Sequence, residues 1–487
     1  MLFNSFEFLI FLPIVFSIYW FLANKSLNLQ NGLVLLASYF FYGWWSWPFL
    51  LLLFGSTVLD YFLVFLVASE NKNTAKWSLR IGVFINLGIL GVYKYYNFFI
   101  EQFQVAFNSL GVHTSLPILK LALPIGISFY TFHGLSYVFD VYKKQQKPVT
   151  NFIDYAVFVS FFPLLVAGPI ERANHLLPQI QKARKFNYKQ SVQGLRLILW
   201  GMFKKVVIAD SLATIVNAIY ANYVNQDAYT LIIGAIAFSF QIYGDFSGYS
   251  DIALGTAKLF GFELLSNFKF PYFSRDIAEF WRRWHISLSS WFRDYLYIPL
   301  GGSKLGKLIS IRNTFIIFLV SGFWHGASWN FIAWGFIHAL GFLPLLLLNR
   351  NRKFVTNVVA ENSWYPSIKE AFQMISTFLF VTLAWIFFRA ENISKAFGYI
   401  KKIALNAIHN PSQFLHLPGG HSDPLALQSV FYYVIPMIAF DWLFRRNERE
   451  LFTTVKSGVL RWIVYVVIGL FVLFFFGTKS SFIYFQF

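Results

Sequence analysis

Long stretches without a charged side chain limit what this 487-residue chain can fold into more than any other feature of its sequence. Residues 32–54 and 425–440 contain no Asp, Glu, Lys or Arg, and residues 5–23 contain only Glu7. A helix that crosses the hydrocarbon core of a bilayer needs about 20 mostly apolar residues. Because lipid cannot satisfy unpaired backbone groups, we predict that these segments cross a membrane as helices.

The composition supports a protein that lies within a membrane. Charged residues make up 13% of the chain, against about 25% in soluble domains, and 57% of the residues are hydrophobic. We predict an all-α polytopic membrane protein, one domain over residues 1–487, with about ten to thirteen transmembrane or re-entrant helices. The predicted spans are residues 5–23, 32–54, 56–69, 80–100, 116–139, 152–170, 193–220, 229–249, 309–323, 328–348, 369–388, 426–443 and 459–477, with an irregular excursion at 403–425.

The N-terminal apolar segment is predicted to be the first membrane helix rather than a signal peptide. It begins MLFNSFEF, without a basic region, and further apolar segments follow at once. The net charge of +18 comes mainly from Lys and Arg in short connectors, which indicates contact with anionic lipids and not with nucleic acid. Because the chain has no cysteine, disulfides and thiolate chemistry are excluded.

The densest group of charges lies in residues 241–302, between apolar segments. In the second half of this region, apolar residues recur at alternating steps of three and four, which predicts one amphipathic helix from Ser274 to Pro299. The stripe consists of Trp281, Trp284, Leu288, Trp291, Tyr295 and Ile298. We predict that this helix lies at the membrane interface or dips into the protein, with His285 at the edge of the stripe.

Two of the nine histidines, His285 and His325, are candidates for chemistry. His325 lies in SGFWHGASWN, between two apolar segments, and Gly326 beside it allows the close approach of a substrate or of backbone. An ionisable side chain at membrane depth costs free energy unless it is paired or used. A buried neutral imidazole can take a proton from an attacking hydroxyl. A purely structural role for His325 is the alternative.

The other histidines and carboxylates give weaker signals. His133 and His338 lie in apolar segments, where a hydrogen bond to a neighbouring helix is the favoured interpretation. Asp245 and Asp251 of DFSGYSD are six residues apart and do not share a helix face, so we disfavour a metal site. The remaining histidines, expected at solvated surfaces, are His113, His175, His409, His416 and His421.

Five sequence blocks resemble the membrane-bound O-acyltransferase (MBOAT) family. They are LPIGISFYTFHGLSYVFDVY (123–142), FFPLLVAGPIERA (161–173), DFSGYSDIALG (245–255), NFKFPYFSRDIAEFWRRWHISLSSWFRDYLYIPLGG (267–302) and SGFWHGASWNFIAWG (321–335). The chain is most similar to the bacterial branch that serves O-acetylation of alginate and other polysaccharides. The resemblance covers roughly residues 1–480, although residues 400–487 resemble the family only in hydrophobicity.

The resemblance implies a function and a site. The essential histidine of the family falls on His325, and its second characteristic histidine falls on His285. Such enzymes pass an acyl group from a cytoplasmic thioester through a central tunnel to a hydroxyl. The donor implied here is acetyl-CoA, used as a substrate with no bound cofactor. The acceptor is a periplasmic glycan, reached through a partner acetyltransferase of the SGNH type, so the implied location is the inner (cytoplasmic) membrane.

The residues fit this chemistry. A thioester is already activated, so the enzyme must hold donor and hydroxyl together, remove one proton and exclude water. Arg282, Arg283 and Arg293 are predicted to bind the donor phosphates, because guanidinium groups suit phosphate. Contact with lipid headgroups, or pairing with Glu279 and Asp294, is an equal alternative.

Two other functions remain as alternatives. D-alanyl transfer to teichoic acid from a carrier protein belongs to the same family, and its enzymes share both histidine blocks. A transporter is the third possibility, and transporters often contain two related halves with broken helices. Because the sequence shows no internal repeat, we favour the acyltransferase.

Overall fold

The protein is all helical in the part that the computed structural model describes, residues 1–113, 115–166, 168–409, 424–449, 451–452, 456–477 and 482–483, which confirms the predicted fold class. The helices there are α1 Phe6–Phe21, α2 Leu27–Gly43, α3 Trp47–Val67, α4 Lys72–Leu90, α5 Tyr96–Ser109, α6 Ile127–Tyr142, α7 Phe152–Ser160, α8 Ala173–Ile180, α9 Tyr188–Met202, α10 Asp210–Ala221, α11 Ala228–Leu259, α12 Ile277–Arg283, α13 Ile286–Phe292, α14 Lys307–His325, α15 Trp329–Leu347, α16 Ile368–Arg389, α17 Ile393–His409, α18 Pro424–Phe444 and α19 Gly458–Phe475. π-Helical segments at Gly91–Tyr95, Phe203–Ala209 and Arg293–Tyr297 follow α4, α9 and α13.

Among these described helices, nine segments are long and apolar enough to cross a membrane, so the chain is a multi-pass membrane protein. They are Phe6–Lys25, Trp47–Val67, Lys72–Ser109, Ala228–Leu259, Lys307–His325, Trp329–Leu347, Ile368–Arg389, Leu427–Phe444 and Gly458–Phe475. The predicted spans at 116–139, 152–170 and 193–220 form shorter or interrupted helices instead, namely α6, α7 and the pair α9–α10. These shorter helices are the candidates for re-entrant segments.

Two predicted boundaries are wrong. The apolar run 32–54 is divided between α2 and α3, because the backbone is extended at Ser46 and Pro48 lies in the first turn of the new helix. Proline suits that turn, since its fixed φ is helical and its missing N–H is not needed there. The predicted irregular excursion at 403–425 is helical up to His409, and residues 410–423 lie outside the described part.

The chain divides into two compact units, and the prediction of a single domain over residues 1–487 stays a prediction. The first unit comprises Met1–Val192 and Thr256–Leu265, and the second comprises Gln193–Gly255 and Ser266–Phe487. In the first unit, α3, α4 and α6 pack against one another and α2 packs against α7. Its buried Arg184 donates hydrogen bonds to the hydroxyl of Tyr19 at 2.8 Å and to Oδ1 of Asn31 at 2.7 Å.

In the second unit, α14 and α15 form a tightly packed helical hairpin. A Cβ atom added at Gly322 would lie 2.2 Å from the carbonyl oxygen of Phe331, and one at Gly335 would lie 2.3 Å from that of Phe318. Real Cβ atoms do not approach an oxygen so closely, so both positions require glycine for the backbones to meet. Gly322 lies almost one turn before the end of α14, so this contact determines the position of the last residue of the helix.

We expect Gly322→Ala to destabilise the protein, because the new methyl group must push the two helices apart. Overpacking of this kind costs about 1–3 kcal/mol. Melting temperatures in detergent would measure the loss, and Gly469→Ala in α19 is the matched control, because a Cβ there meets nothing within 4 Å. Equal melting temperatures for the two variants would contradict the close packing of the hairpin.

Candidate active site

The region predicted as one amphipathic helix from Ser274 to Pro299 is broken at its centre. Trp284 is extended, and His285 has φ +43° and ψ +53°, in the left-handed region, so α12 ends before them and α13 begins after them. The segment 267–269 runs beside this break. Its backbone pairs with groups that would bond within a continuous helix. The N–H of Ile286 donates to the carbonyl of Asn267, and the N–H of Lys269 donates to the carbonyl of Arg283.

The first of the two helices begins at Ile277, three residues after the predicted start. Asp276 is the N-cap of α12, and its carboxylate accepts a hydrogen bond from the N–H of Glu279 at 2.7 Å. Such a cap satisfies a backbone donor that the helix itself leaves open. The stripe residues Trp281, Trp284, Leu288 and Trp291 are buried, whereas Ile298 is 56% exposed. The predicted stripe therefore forms part of a protein core over most of its length.

His285 lies at the break with its side chain fully buried. Its Nδ1 lies 3.2 Å from Oδ1 of Asn267, and its ring is nearly perpendicular to that of Phe246, with centroids 4.6 Å apart. Burial lowers the pKa of His285 to about 3, so the imidazole is neutral over the physiological range. A neutral ring can act as a hydrogen-bond acceptor or as a base.

His325 is the last residue of α14, directly before Gly326, and 3% of its surface is exposed. Its ring is surrounded by aromatic side chains, with centroid distances of 4.9 Å to Trp324, 5.1 Å to Trp334 and 5.4 Å to Phe388. An aromatic enclosure of this kind excludes water and strengthens every polar interaction inside it.

Trp324 connects the two histidines, which are 40 residues apart in the sequence. Its ring centroid lies 6.1 Å from that of His285 and 4.9 Å from that of His325. The structure therefore brings both predicted catalytic residues onto one buried aromatic cluster in the second unit. The position of this tryptophan between the imidazoles is not apparent from the sequence.

The three predicted phosphate-binding arginines have partners within the protein. Arg283 pairs with buried Glu279 at 2.9 Å, and Arg293 pairs with Asp294 at 2.7 Å. Arg282 donates hydrogen bonds to two backbone carbonyls, those of residues 351 and 354. The ion pairs of Arg283 and Arg293 are the internal pairing that the sequence left as an alternative. Donor binding by the three arginines stays a prediction.

Arginine side chains form hydrogen bonds along the connector between α15 and α16, and the sequence did not indicate these bonds. Guanidinium groups donate to the backbone carbonyls of Asn351, Phe354, Asn357, Val359, Ala360 and Ser363. The donors are Arg275, Arg282, Arg283, Arg445 and Arg446. Charge-assisted hydrogen bonds of this kind fix the position of a connector that contains no helix.

The aspartates of DFSGYSD each have a lysine partner. Asp245 lies 2.7 Å from Nζ of Lys205, and Asp251 forms an ion pair with Lys204. The two lysines are consecutive in the π-helical segment that follows α9. A carboxylate at membrane depth is expected to pair with a cation, and these side chains do so.

Most of the other histidines can be placed. Nδ1 of His338 accepts a hydrogen bond from the indole N–H of Trp281 on α12, as expected for a contact with a neighbouring helix. Nε2 of His133 accepts a hydrogen bond from the backbone N–H of Glu171, which lies in a connector rather than in a helix. His113 is exposed as predicted, but His175 is half-buried and lies 2.7 Å from the same glutamate. His416, His421 and the side chain of His409 lie outside the described residues.

Comparison with known proteins matches this region to one family. The family model described as MBOAT, membrane-bound O-acyltransferase family, matches residues 127–385, which include both histidines and Trp324. A Pseudomonas putida protein named "Probable alginate O-acetylase" is 41% identical over 402 residues, covering 81% of this chain and 79% of that protein. The peptidoglycan O-acetyltransferase of Helicobacter pylori is 33% identical, covering 100% of this chain and 98% of that protein. The teichoic acid D-alanyltransferase of Streptococcus thermophilus is 30% identical over 54% of this chain and 68% of its own length.

Proposed function

Because this chain belongs to the membrane-bound O-acyltransferase family, we propose that it moves an acetyl group from a cytoplasmic thioester donor across the membrane for O-acetylation of an exported polysaccharide or another cell-envelope glycan. The family membership makes it an acyltransferase. The names of its relatives support the acetyl group and the glycan, since two of them are named probable alginate O-acetylase and peptidoglycan O-acetyltransferase.

The observation that carries the proposal is the pair of buried imidazoles on one aromatic cluster. His285 and His325 both contact Trp324, and each is at most 3% exposed. Desolvating an ionisable side chain is costly, so two imidazoles that meet at one buried tryptophan are expected to be used. Acyl transfer from a thioester requires a base in a site from which water is excluded, because water would otherwise hydrolyse the donor.

The proposed reaction uses His325 as the base. The hydroxyl oxygen of the acceptor attacks the carbonyl carbon of the thioester, while the imidazole takes the hydroxyl proton. The carbon–sulfur bond then breaks, the sulfur leaves as a thiolate, and it receives the proton from the imidazole. No ATP is consumed. The predicted central tunnel would deliver the donor and the acceptor to this point from opposite sides of the membrane.

We propose acetyl-CoA as the donor substrate, with Arg293 as the most accessible of the three predicted phosphate ligands. Its side chain is 62% exposed and is paired with the adjacent Asp294. Exposed ion pairs contribute little free energy, so a phosphate can replace the carboxylate at small cost. Arg283, by contrast, holds a buried carboxylate that would lose a partner if the arginine moved.

We expect Arg293→Gln to raise the KM for acetyl-CoA about fivefold, the effect of losing roughly 1 kcal/mol of exposed charge interaction, with kcat unchanged. Asp294→Asn should lower the same KM, because it removes the competing carboxylate. Lys304→Gln removes another exposed cation from the following loop and is the control. A KM that does not respond to either change at 293 or 294 would show that this pair does not meet the donor.

The partner and the location follow from the same proposal. An acetyl group that this enzyme delivers to the outer side of the membrane can be passed on to a polymer there by a second protein. We therefore propose a periplasmic acetyltransferase of the SGNH type as the partner, and the inner membrane of a bacterium as the location. Co-purification of such a partner from the native membrane would test this part.

Vesicles containing the purified protein test the reaction itself. Radiolabelled acetyl-CoA is supplied on one side, and both free CoA thiol and transferred label are measured with wild-type protein and with a folded His325→Ala variant. We expect turnover only with the wild type. Turnover with a D-alanyl thioester on a carrier protein, and none with acetyl-CoA, would replace the proposal with D-alanyl transfer.

A further inference from the structure

Asn267 is placed to control the second histidine of the site. It lies in the irregular segment beside the break between α12 and α13, and it is 1% exposed. Its Oδ1 lies 3.2 Å from Nδ1 of His285 and accepts a hydrogen bond from the hydroxyl of Ser287 at 2.7 Å. One buried amide therefore contacts the imidazole and the residue two positions beyond it.

The backbone of Asn267 also holds His285 in its unusual conformation. A non-glycine residue with positive φ is strained and persists only where the surroundings impose it. Here the carbonyl of Asn267 accepts a hydrogen bond from the N–H of Ile286 at 2.9 Å. This bond fixes the peptide group that follows His285, and it keeps the imidazole directed at the amide.

The same contacts determine which ring nitrogen carries the proton. The backbone N–H of Ser287 can only donate, and it lies 3.4 Å from the same side-chain atom of Asn267, so this atom is the amide oxygen. An amide oxygen only accepts hydrogen bonds, so Nδ1 of His285 must be the donor. A neutral imidazole has one N–H, and Nε2 therefore carries the lone pair.

The charged groups on the surrounding elements have partners of their own. On α11, Asp245 and Asp251 pair with Lys205 and Lys204. Nearer the break, Arg283 pairs with Glu279 and Lys269 pairs with Glu448. On α14, the titratable side chain that contacts Trp324 is His325. Burial is the cause of the low pKa of His285, so a carboxylate introduced beside the ring would change its protonation strongly.

We propose that Asn267 is a positioning residue for the acyl-transfer site, which holds His285 with the proton on Nδ1 so that Nε2 serves as the hydrogen-bond acceptor of the ring. The inference rests on the proposed function, because it assigns a role in that reaction. At metal sites, the residue that orients a histidine through a hydrogen bond typically affects activity by about 10- to 100-fold, and we expect an effect of the same order here.

Two substitutions at the same position test the inference. Asn267→Leu keeps the size of the side chain and removes the acceptor, and we expect kcat to fall about 10- to 100-fold at every pH with the donor KM little changed. Asn267→Asp keeps the acceptor and adds charge, which raises the pKa of His285. Protonation removes the lone pair on Nε2, so this variant should be active at high pH and should lose activity as the pH falls through the raised pKa, at least one pH unit above the acid limb of the wild type.

The matched control is Asn313→Leu, which removes another fully buried amide of the second unit. The amide nitrogen of Asn313 donates to the carbonyls of Leu300 and Gly302, and its oxygen accepts from Arg312. This variant should lose stability but keep the pH profile of the wild type. A pH profile for Asn267→Asp that matches that of the wild type, or an Asn267→Leu variant with full kcat, would overturn the role of Asn267.

A measurement without turnover separates this inference from the proposed function. In protein labelled with ¹⁵N-histidine, solid-state NMR gives signals for the ring nitrogens. Those of His285 are identified because they are absent from the spectrum of the His285→Gln variant. We expect a protonated Nδ1 in the wild type and a mixture of tautomers in Asn267→Leu. A wild type with protonated Nε2 would overturn the positioning role even if the enzyme is active, whereas an inactive wild type with protonated Nδ1 would contradict only the proposed function.

Discussion

His325→Ala is expected to abolish acyl transfer while the protein remains folded. Removing a general base lowers turnover by about 10²- to 10⁴-fold, because the attacking hydroxyl then has no group in the dry site to take its proton. The expected loss is in kcat, measured as release of CoA thiol, with little change in donor KM, since the imidazole acts on the acceptor. His325→Gln, which refills most of the space, should be as inactive as the alanine variant.

His338→Gln is the matched control for this prediction. His338 is also fully buried, and its ring lies 4.9 Å from Trp334, the same tryptophan that meets His325 at 5.1 Å. Its substitution removes the hydrogen bond from Trp281 and should lower the melting temperature without removing turnover. If the two histidine variants were equally active, His325 would be a packing residue. If they were equally inactive, the aromatic cluster as a whole, and not one base, would account for the loss.

Hydropathy predicted the helices of this protein well and their interruptions poorly. The hairpin of α14 and α15 falls almost where the apolar runs 309–323 and 328–348 place it. The division near Ser46 was missed, because residues 32–54 stay apolar through the turn and only Pro48 indicates a new helix. A hydropathy window averages over such a turn, whereas the capping geometry depends on single residues.

The break at His285 could not have been predicted from spacing. The apolar stripe from Trp281 to Trp291 keeps helical periodicity straight through it, because residues on both sides pack into the same core. What interrupts the helix is the backbone of Asn267, 18 residues earlier, which competes for the N–H of Ile286. A tertiary hydrogen bond overrides local periodicity here, and a single sequence carries no signal of that contact.

The candidate site shows the same limit. The resemblance to a family indicated His285 and His325, but their common contact with Trp324 depends on how α14 packs against the break. The charges around them were harder to interpret. A sequence shows that Arg275, Glu279 and Arg283 are four residues apart, which suits pairing on a helix, but it does not show that the carboxylate is buried.

Removing the buried carboxylate of Glu279 is the second change for which we expect a large effect, in this case on stability. Glu279 is 1% exposed and accepts hydrogen bonds from the guanidinium groups of Arg275 and Arg283 at distances of 2.9 to 3.0 Å. Both arginines also hold the carbonyl of Asn357, so the glutamate fixes α12 and the connector after α15 together. Removing one partner of a buried ion pair leaves an uncompensated charge, which costs about 3–5 kcal/mol.

We therefore expect Glu279→Gln to lower the melting temperature more than any other single change proposed for this protein. Glu391→Gln removes the carboxylate of an exposed pair with Lys395 and should leave the melting temperature almost unchanged, because water already screens that pair. Arg283→Gln decides between the two roles predicted for this arginine. A lower melting temperature with an unchanged donor KM would make it a structural partner of Glu279. An unchanged melting temperature with a raised donor KM would instead make it a phosphate ligand, because the buried pair would then contribute nothing to folding while the cation still served the substrate.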